Sequence, residues 1–557
     1  MVKITIDGKQ YEVDNNLTII EAAEKNGITI PHFCWHPKLS VSGNCRVCLV
    51  EVEKVPKLVI ACATKVADGM VVHTNSERVV RARNAVLEFI LINHPLDCPI
   101  CDEAGECKLQ DYAYKYSVGE SRFDFEKVRK PKRVELGPNV MLDVERCIMC
   151  SRCIRFCDEI AKKPQLVFTK RGDHVELTTF PGEVLDNPYS MNVIELCPVG
   201  ALTSRDFRFK ARVWDMSSTD TICTGCSRGC NIRMWVRNNE ILRLTPRYNP
   251  EVNEYWMCDH GRLNTFKFVK SPTRISSPMI RKDGILVDVG WEEAISKVAF
   301  EMKSYKKNEI AIIGSPLATN EDNYILAKFM NFLGIKKMGC LSHIKEGDQD
   351  DILIREDKSP NYLGAVLVGA VQDKTGLKEL ADMIQAGKIK FLYVIEDDIA
   401  TDPAIYNLMS KLDFLVVHAS NENETTKHAD VVLACSTYAE KNGTMINFEG
   451  RIQRLRAAVT TLEGDRALDG FVMSRLDKFG AHNDRWMKGI QYDSRSSWRI
   501  TCNIANTLGA KWRYRTVEDV FQEIASTIPA FKGLTYLSIG QNGAKLNLKK
   551  ETVNIKV

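Results

Sequence analysis

Nineteen cysteines, sixteen of them before residue 260, constrain this 557-residue chain more than any other feature. Thiols at that density become disulfides in an oxidising compartment or metal ligands in a reducing one. The chain opens Met1-Val-Lys-Ile-Thr-Ile-Asp7, which lacks the apolar stretch and small-residue cleavage site of a secretion signal. A reducing compartment and bound metal are therefore expected, and the tight C-x2-C pairs point the same way. Thiolates are soft anionic ligands suited both to iron–sulfur clusters and to zinc, so spacing has to separate the two.

The first set is Cys34, Cys45, Cys48 and Cys62, or C-x10-C-x2-C-x13-C. A zinc ribbon pairs two C-x2-C knuckles and only one is present, while the plant-type ferredoxin spacing is not matched either. Spacing alone leaves [2Fe–2S] and zinc both open here. The second set is His94, Cys98, Cys101 and Cys107, in HPLDCPICDEAGEC. A lone histidine at a helix end reads as a cation favoured by the helix dipole, but three cysteines close behind it turn the reading towards a ligand. A neutral imidazole in place of a thiolate leaves a cluster less negative, so this centre is expected to have a higher reduction potential than a four-thiolate one.

The third set carries the strongest spacing. Cys147-x2-Cys150-x2-Cys153-x3-Cys157 reproduces the bacterial ferredoxin run, and Cys197-Pro198 supplies its remote partner. A second run ending at Cys197 would need cysteines where the chain has Asn187, Ser190 and Val193. The second cluster of such a pair is missing, which assigns Cys147, Cys150, Cys153 and Cys197 to one [4Fe–4S] and leaves Cys157 as a buried thiol. The fourth set is Cys223, Cys226, Cys230 and Cys258, followed by Asp259-His-Gly-Arg262. Zinc would suit these four taken alone; three neighbouring cluster motifs favour a fourth redox centre. Cys340, Cys435 and Cys502 are isolated and read as core thiols.

Around these sets the chain patterns into elements. Ile4 and Ile6 alternate with polar residues up to Asp7-Gly8, a hairpin turn, with a second strand running to Val13. Thr18-Ile-Ile-Glu21 is a capping box that opens a helix closing at Asn26-Gly27, and Leu49–Val52 is extended. A long helix is expected from Ser76 to Asn93, ended by His94-Pro95. Residues 121–136, with the basic cluster Arg129-Lys-Pro-Lys-Arg133, read as a solvated connector. Beyond residue 270 the apolar runs Glu309–Gly314, Gly364–Val368, Phe391–Ile395 and Phe414–Val417 alternate with helices such as Asn320–Leu333 and Leu377–Ala386. Strands separated by helices predict βαβ units around a parallel sheet.

Composition excludes several classes. A net charge of +4 argues for neither nucleic acid nor an anionic lipid surface, and the longest apolar runs fall far short of a spanning helix. No G-x-G and no G-K-[ST] occurs, so neither a Rossmann nor a P-loop nucleotide site is written in the chain. Several one-electron centres without a visible hydride or substrate site read as an electron conduit, in which the protein sets potential and spacing.

The order of the sets, from CWHPKLSVSGNCRVC through HPLDCPICDEAGEC and CIMCSRC…CPVGALTS to CTGCSRGC…CDHGR, resembles the 75-kDa/G subunit family of respiratory complex I, the NADH:quinone oxidoreductase. The segments WEEAISKVA (291–299), TNEDNYILAKF (319–329) and ADVVLACSTYAEKNGTMINFEGRIQ (429–453) extend the resemblance into a molybdopterin-oxidoreductase-like domain, and VEDVFQEIASTIPAFKGLTY (517–536) is similar to the family's C-terminal end. The resemblance implies a multidomain α+β and α/β chain. Its parts are a β-grasp [2Fe–2S] ferredoxin-like domain over 1–78, a His/Cys3 [4Fe–4S] domain over 79–120 and a [4Fe–4S] ferredoxin-like domain over 137–212. A further [4Fe–4S] domain follows over 216–272, then a degenerate molybdopterin-oxidoreductase-like α/β domain over 273–470 and a C-terminal segment over 471–557. It also implies one [2Fe–2S] at the first set and a [4Fe–4S] at each of the other three, the fourth being an addition that only some bacterial members keep. No molybdopterin is expected, because the domain looks shortened. Implied partners are the flavin/NADH-binding subunit, a small [2Fe–2S] subunit, a ferredoxin-like subunit with two [4Fe–4S] clusters and the quinone-site subunits of the peripheral arm. The implied place is the cytoplasmic face of the plasma membrane, without insertion.

Two other families share this front half. NAD-linked formate dehydrogenases need a Cys or selenocysteine metal ligand followed by His; the nearest candidate, Cys340, is followed by Leu341-Ser342-His343 and falls short of the expected place. Iron-only hydrogenases need a further cysteine set in the C-terminal half, where three scattered cysteines stand.

Overall fold

A computed structural model describes residues 1–117, 119–372, 376–463 and 489–548, which fall into two units, Met1–Asp215 and Met216–Val557.

The first unit begins with the expected hairpin. β1 (Val2–Ile6) and β2 (Lys9–Val13) pair antiparallel, with Ile6 opposite Lys9. Asp7 and Gly8 both take positive φ (48° and 83°), the twist a two-residue turn requires. The capping box forms as read: the Thr18 hydroxyl accepts from the Glu21 N–H, and the Glu21 carboxylate accepts from the Thr18 N–H, at the start of α1 (Ile19–Lys25). β3 (Leu49–Val52), β4 (Val59–Ile60) and β5 (Val71–His73) complete a mixed sheet in the order β2-β1-β5-β3-β4, β1 and β5 running parallel. Ile19, Ile20 and Ala23 of α1 share one core with Ile4, Ile6, Val50 and Val72 of the sheet. That is the β-grasp arrangement.

Ser76 caps α2 (Glu77–Leu91), which carries the buried Arg83. Its guanidinium donates to the carbonyls of Val47 (3.3 Å), Leu49 (3.3 Å) and Thr74 (3.2 Å), fastening α2 to the chain around Cys48. α3 (Lys108–Tyr116) follows Cys107. β6 (Val134–Glu135) and β7 (Val140–Leu142) lead to α4 (Arg152–Arg155), the hairpin β8 (Leu166–Thr169) and β9 (Glu176–Thr179), α5 (Asn192–Leu196) and β10 (Leu202–Ser204). β7 sits between β10 and β6 in a three-stranded sheet.

The stretch before β6 is mostly exposed, as a solvated connector is, but lysines within it are anchored. Lys127 Nζ donates to the carbonyls of Leu91 (3.1 Å), Ile92 (2.6 Å) and His94 (3.1 Å), closing the open end of α2. Lys132 pairs with Asp97 and Glu145, each at 2.7 Å. The carboxylates and carbonyls that neutralise these lysines lie outside the stretch itself, beyond the reach of a local charge pattern.

The second unit starts with an antiparallel meander of β11 (Ser217–Ile222), β12 (Asn231–Arg237) and β13 (Glu240–Pro246), followed by α6 (Asp259–Asn264). Its main sheet contains β14 (Met279–Lys282), β15 (Ile285–Asp288), β16 (Ile310–Ile313), β17 (Phe391–Ile395), β18 (Phe414–Ala419) and β19 (Val431–Ala434), in the order β15-β14-β19-β18-β17-β16. β16 to β19 are parallel, and every residue of β17, β18 and β19 is buried. Burial on both faces is why these strands read as unbroken apolar runs. α7 (Trp291–Ser304) and α8 (Asn320–Leu333) precede and follow β16, α8 with the limits expected.

One expected strand is a helix. Gly364–Val368 belongs largely to α9 (Tyr362–Leu367), and β16 pairs directly with β17. A five-residue apolar run has no period to separate strand from helix. Gly364 lets this helix pass close to its neighbours, since a Cβ there would lie 2.0 Å from Asn320 Oδ1. The C-terminal segment 471–557 is described in part. Residues 471–488 and 549–557 lie outside the described residues, but Trp498, Ile504, Phe521 and Ile524 join the core of the parallel sheet.

Behind the sheet ends lies a buried ion triad. Lys441 Nζ contacts Asp322 (2.8 Å) and Glu396 (2.6 Å), with the lysine side chain 1% exposed.

Candidate metal centres

All nineteen cysteines are free thiols, which removes the disulfide alternative. Among the described residues no group of three or more His, Cys, Asp or Glu is drawn tightly enough to grip a single metal ion.

In the first set, Cys34 lies in the loop after α1, Cys48 directly precedes β3 and Cys62 closely follows β4. Cys34 N–H donates to Cys45 Sγ at 3.5 Å, and the sulfurs hydrogen-bond as Cys34 with Cys45, Cys34 with Cys62 and Cys48 with Cys62. Thiol donors hold Cys34 and Cys48 below the usual thiol range and push Cys45 and Cys62 above it. Four thiols this close ionise together only around a cation, which fits a cluster site.

The second set spans the end of α2 and the start of α3. Burial, reinforced by Arg146, lowers the His94 pKa to about 4, so its imidazole is neutral, the form that ligates a metal. Cys101 is buried, Cys107 heads α3 with its thiol pushed up to about 11 by burial, and the two face each other. Cys98 is exposed. No hydrogen bond among the described residues links His94 to the three sulfurs, so this set is the least closely drawn together. Gly200 is required beside it, because a Cβ there would stand 2.2 Å from Cys101 Sγ.

The third set closes on a small cavity. Cys147, Cys150, Cys153 and Cys197 all line it, with Phe168 and Leu202 among the apolar walls. Met149 (φ 53°) and Ser151 (φ 58°) take left-handed backbone on either side of Cys150, wrapping the loop around the space. Burial, then the neighbouring thiolates, raises the pKa of Cys153 and Cys197 well above the usual value. Cys157 is fully buried on the turn after α4 and is not part of the lining, as the missing second run implied.

The fourth set lies wholly in the second unit. Cys223 directly follows β11, Cys230 precedes β12, Cys226 is in the loop between them and Cys258 caps α6. The N–H groups of Gly225 and Gly261 donate to Cys223 Sγ (3.4 Å) and Cys258 Sγ (3.3 Å). Burial raises the Cys230 pKa, and the charges of Cys226, Cys223 and Cys258 add to it, so all four converge.

Family models match in the same order. A 2Fe-2S iron-sulfur cluster binding domain covers residues 1–77 and an NADH-ubiquinone oxidoreductase-G iron-sulfur binding region covers 83–122. The ferredoxin-like domain of NADH-quinone oxidoreductase subunit 3 covers 137–203, a molybdopterin oxidoreductase Fe4S4 domain 216–268, and molybdopterin oxidoreductase 274–366 and 356–467. The G subunit of NADH-quinone oxidoreductase from Rickettsia bellii is 42% identical over 363 residues, 65% of this chain and 52% of the relative. The chain is a homologue of that G subunit. The 75 kDa subunit of NADH-ubiquinone oxidoreductase from Reclinomonas americana is 39% identical over 381 residues, 67% of this chain and 55% of that one. The chain spans about half the length of these G-type relatives. A chain of an NAD+-reducing [NiFe]-hydrogenase structure is 31% identical over 38% of this chain and 91% of its own, with a TM-score of 0.34.

The region matching molybdopterin oxidoreductase has a cavity of about 390 Å3 at the carboxyl ends of β17, β18 and β19, where open α/β sheets hold ligands. Glu396, Asp397 and Asp398 line it, Glu396 paired with Lys441 and Asp397 with His343. Cys340 is not in it, but lines a separate small pocket with Ser342 and His343. His343 Nε2 is paired with Asp397 at 3.1 Å.

What the sequence reading missed are the basic side chains that tie one set to the next. Arg146 donates to Asp97 (2.9 Å) and to the Gly200 carbonyl (3.5 Å), linking the Cys147 loop to the second set. Arg155 Nη2 donates to the carbonyls of Cys34 (2.5 Å) and Cys150 (3.3 Å), linking that loop to the first. Their only sequence signal is an arginine repeatedly placed beside a ligand.

Proposed function

We propose that this chain is the iron–sulfur electron-transfer subunit of an NADH:quinone oxidoreductase, relaying electrons from a flavin subunit towards quinone. Cys34, Cys45, Cys48 and Cys62 would hold one [2Fe–2S]. Three [4Fe–4S] clusters would be held by His94, Cys98, Cys101 and Cys107; by Cys147, Cys150, Cys153 and Cys197; and by Cys223, Cys226, Cys230 and Cys258. Each cluster, when bound, exchanges one electron with little rearrangement. The protein's part is to exclude water, fix the ligands and set potentials through burial, N–H···S hydrogen bonds and nearby charge. The observation that carries this reading is the third set, whose four sulfurs line one cavity from which Cys157 is left out.

The domain limits read from the sequence, 1–78, 79–120, 137–212, 216–272 and 273–470, belong to this proposal. So do the flavin/NADH-binding subunit, the small [2Fe–2S] subunit, the two-cluster ferredoxin-like subunit and the quinone-site subunits as partners. A peripheral position on the cytoplasmic side of the membrane belongs to it as well; no described helix is long and apolar enough to cross a membrane. The placing of Cys340 outside the larger cavity supports a molybdopterin-like domain without its cofactor, against a formate dehydrogenase. Purification with partners, with iron, sulfide, flavin and molybdenum counts and low-temperature EPR, tests the whole. A colourless, zinc-bearing protein would refute the clusters, and one molybdenum per chain would refute the empty domain.

A further inference from the structure

Arg152 stands between two sulfur sets and has no carboxylate of its own. It lies in the turn between Cys150 and Cys153 and is 4% exposed. Nη1 donates to the Leu196 carbonyl at 3.3 Å, beside Cys197, and Nη2 donates to the Trp35 carbonyl, beside Cys34. Among the described residues no Asp or Glu pairs with it, and its Nε has no hydrogen-bond partner. It lines the cavity of the third set with Cys150 and Cys153, and the thiols of Cys150, Cys34 and Cys45, from both sets, act on its charge. Lys108 and Arg155 add like charge around it. Arg146, by contrast, is neutralised by Asp97 and Asp143.

A guanidinium buried without a counter-ion is costly, and carbonyl hydrogen bonds offset only part of that cost. Clusters held by thiolates carry net negative charge, and one on either side of Arg152 would balance it. We infer that Arg152 is a shared fixed counter-charge for the clusters at Cys34/Cys45/Cys48/Cys62 and Cys147/Cys150/Cys153/Cys197, and that it raises the reduction potential of both; this rests on the ligand assignment proposed above. An added electron makes either cluster more negative, a state the adjacent cation favours. Burial keeps salt from screening the effect. Arg152 is thus a positioning residue with a second duty, tuning two centres at once.

The test is a redox titration followed by low-temperature EPR on the full chain in its complex, with iron and sulfide counted, for the parent, Arg152→Gln and Arg152→Lys. Arg152→Gln is expected to lower both potentials, while Arg152→Lys, which keeps the charge and loses the fork, holds both near the parent values. Unmoved potentials in a fully loaded Arg152→Gln protein would overturn the inference. So would an Arg152→Lys protein that falls as far as Arg152→Gln, which would assign the effect to hydrogen bonding. Should Arg152→Gln lose its clusters, Arg152→Lys decides alone: parent potentials support the counter-charge and lowered ones overturn it. If the parent protein lacks either cluster signal, the ligand assignment itself fails; if both are present and do not respond, the role of Arg152 fails by itself.

Discussion

Gly200→Ala is expected to empty the second set while leaving the others loaded. The added Cβ would stand 2.2 Å from Cys101 Sγ and 3.0 Å from Glu103 Cβ. Ordinary non-bonded contact needs about 3.5–4.0 Å, so the sulfur would have to retreat by roughly 1.5 Å. Metal–ligand distances tolerate about 0.2 Å, so Cys101 cannot move that far and stay on iron. The backbone offers no competing explanation, because Gly200 does not take the positive φ that would itself penalise alanine. The assay is iron and sulfide per chain together with EPR, and a loss of about four of each is expected, with the signal of the histidine-ligated centre. Two other glycines grade the effect. A Cβ at Gly261 would meet Cys223 Sγ and Cys258 Sγ at 3.2 Å each, and one at Gly225 would meet Cys223 Sγ at 3.5 Å. Gly225→Ala should keep its cluster, with Gly261→Ala between the extremes. A Gly200→Ala protein with full iron and an unchanged spectrum would refute the reasoning.

His94→Cys replaces a neutral ligand with an anionic one and should lower the potential of the second centre; potentiometric titration showing no fall would count against His94 as a ligand. Cys157→Ser should leave iron per chain unchanged and cost about 1–2 kcal/mol in stability, since a hydroxyl replaces a fully buried thiol; iron analysis and Tm check both halves. Lys441→Met strands Asp322 and Glu396 in the interior and should cost about 3–5 kcal/mol, read by urea denaturation. Burial opposes the Lys441 charge, but the two carboxylates outweigh it and hold its pKa above the ordinary value. Without the lysine those carboxylates must bind protons in the folded state that the unfolded state releases. The variant's stability should therefore rise as pH falls from neutral towards the carboxylate range, and a flat profile would contradict this.

Local chemistry made much of the fold legible. The Thr18–Glu21 box, the Asp7-Gly8 turn and the parallel strands β17 and β18 are each specified by residues adjacent in sequence, and they form where expected. Gly364–Val368 failed because five apolar residues without a period suit a helix as well as a strand. The same limit applies to the site. Cysteine spacing marks candidate ligands because a loop must wrap its metal, and the gap at Asn187, Ser190 and Val193 is the sequence signal that sets Cys157 apart from the four cysteines lining the third cavity. The residues around the ligands were not legible. Lys127 grips carbonyls some 35 positions back, and Arg155 reaches one 121 positions away; no local pattern records such pairings.

None of the four sets straddles residue 216: twelve of the candidate ligands lie before it and four after. The candidate ligands Cys223, Cys226, Cys230 and Cys258 can therefore be substituted together with no candidate ligand of the other three sets exchanged.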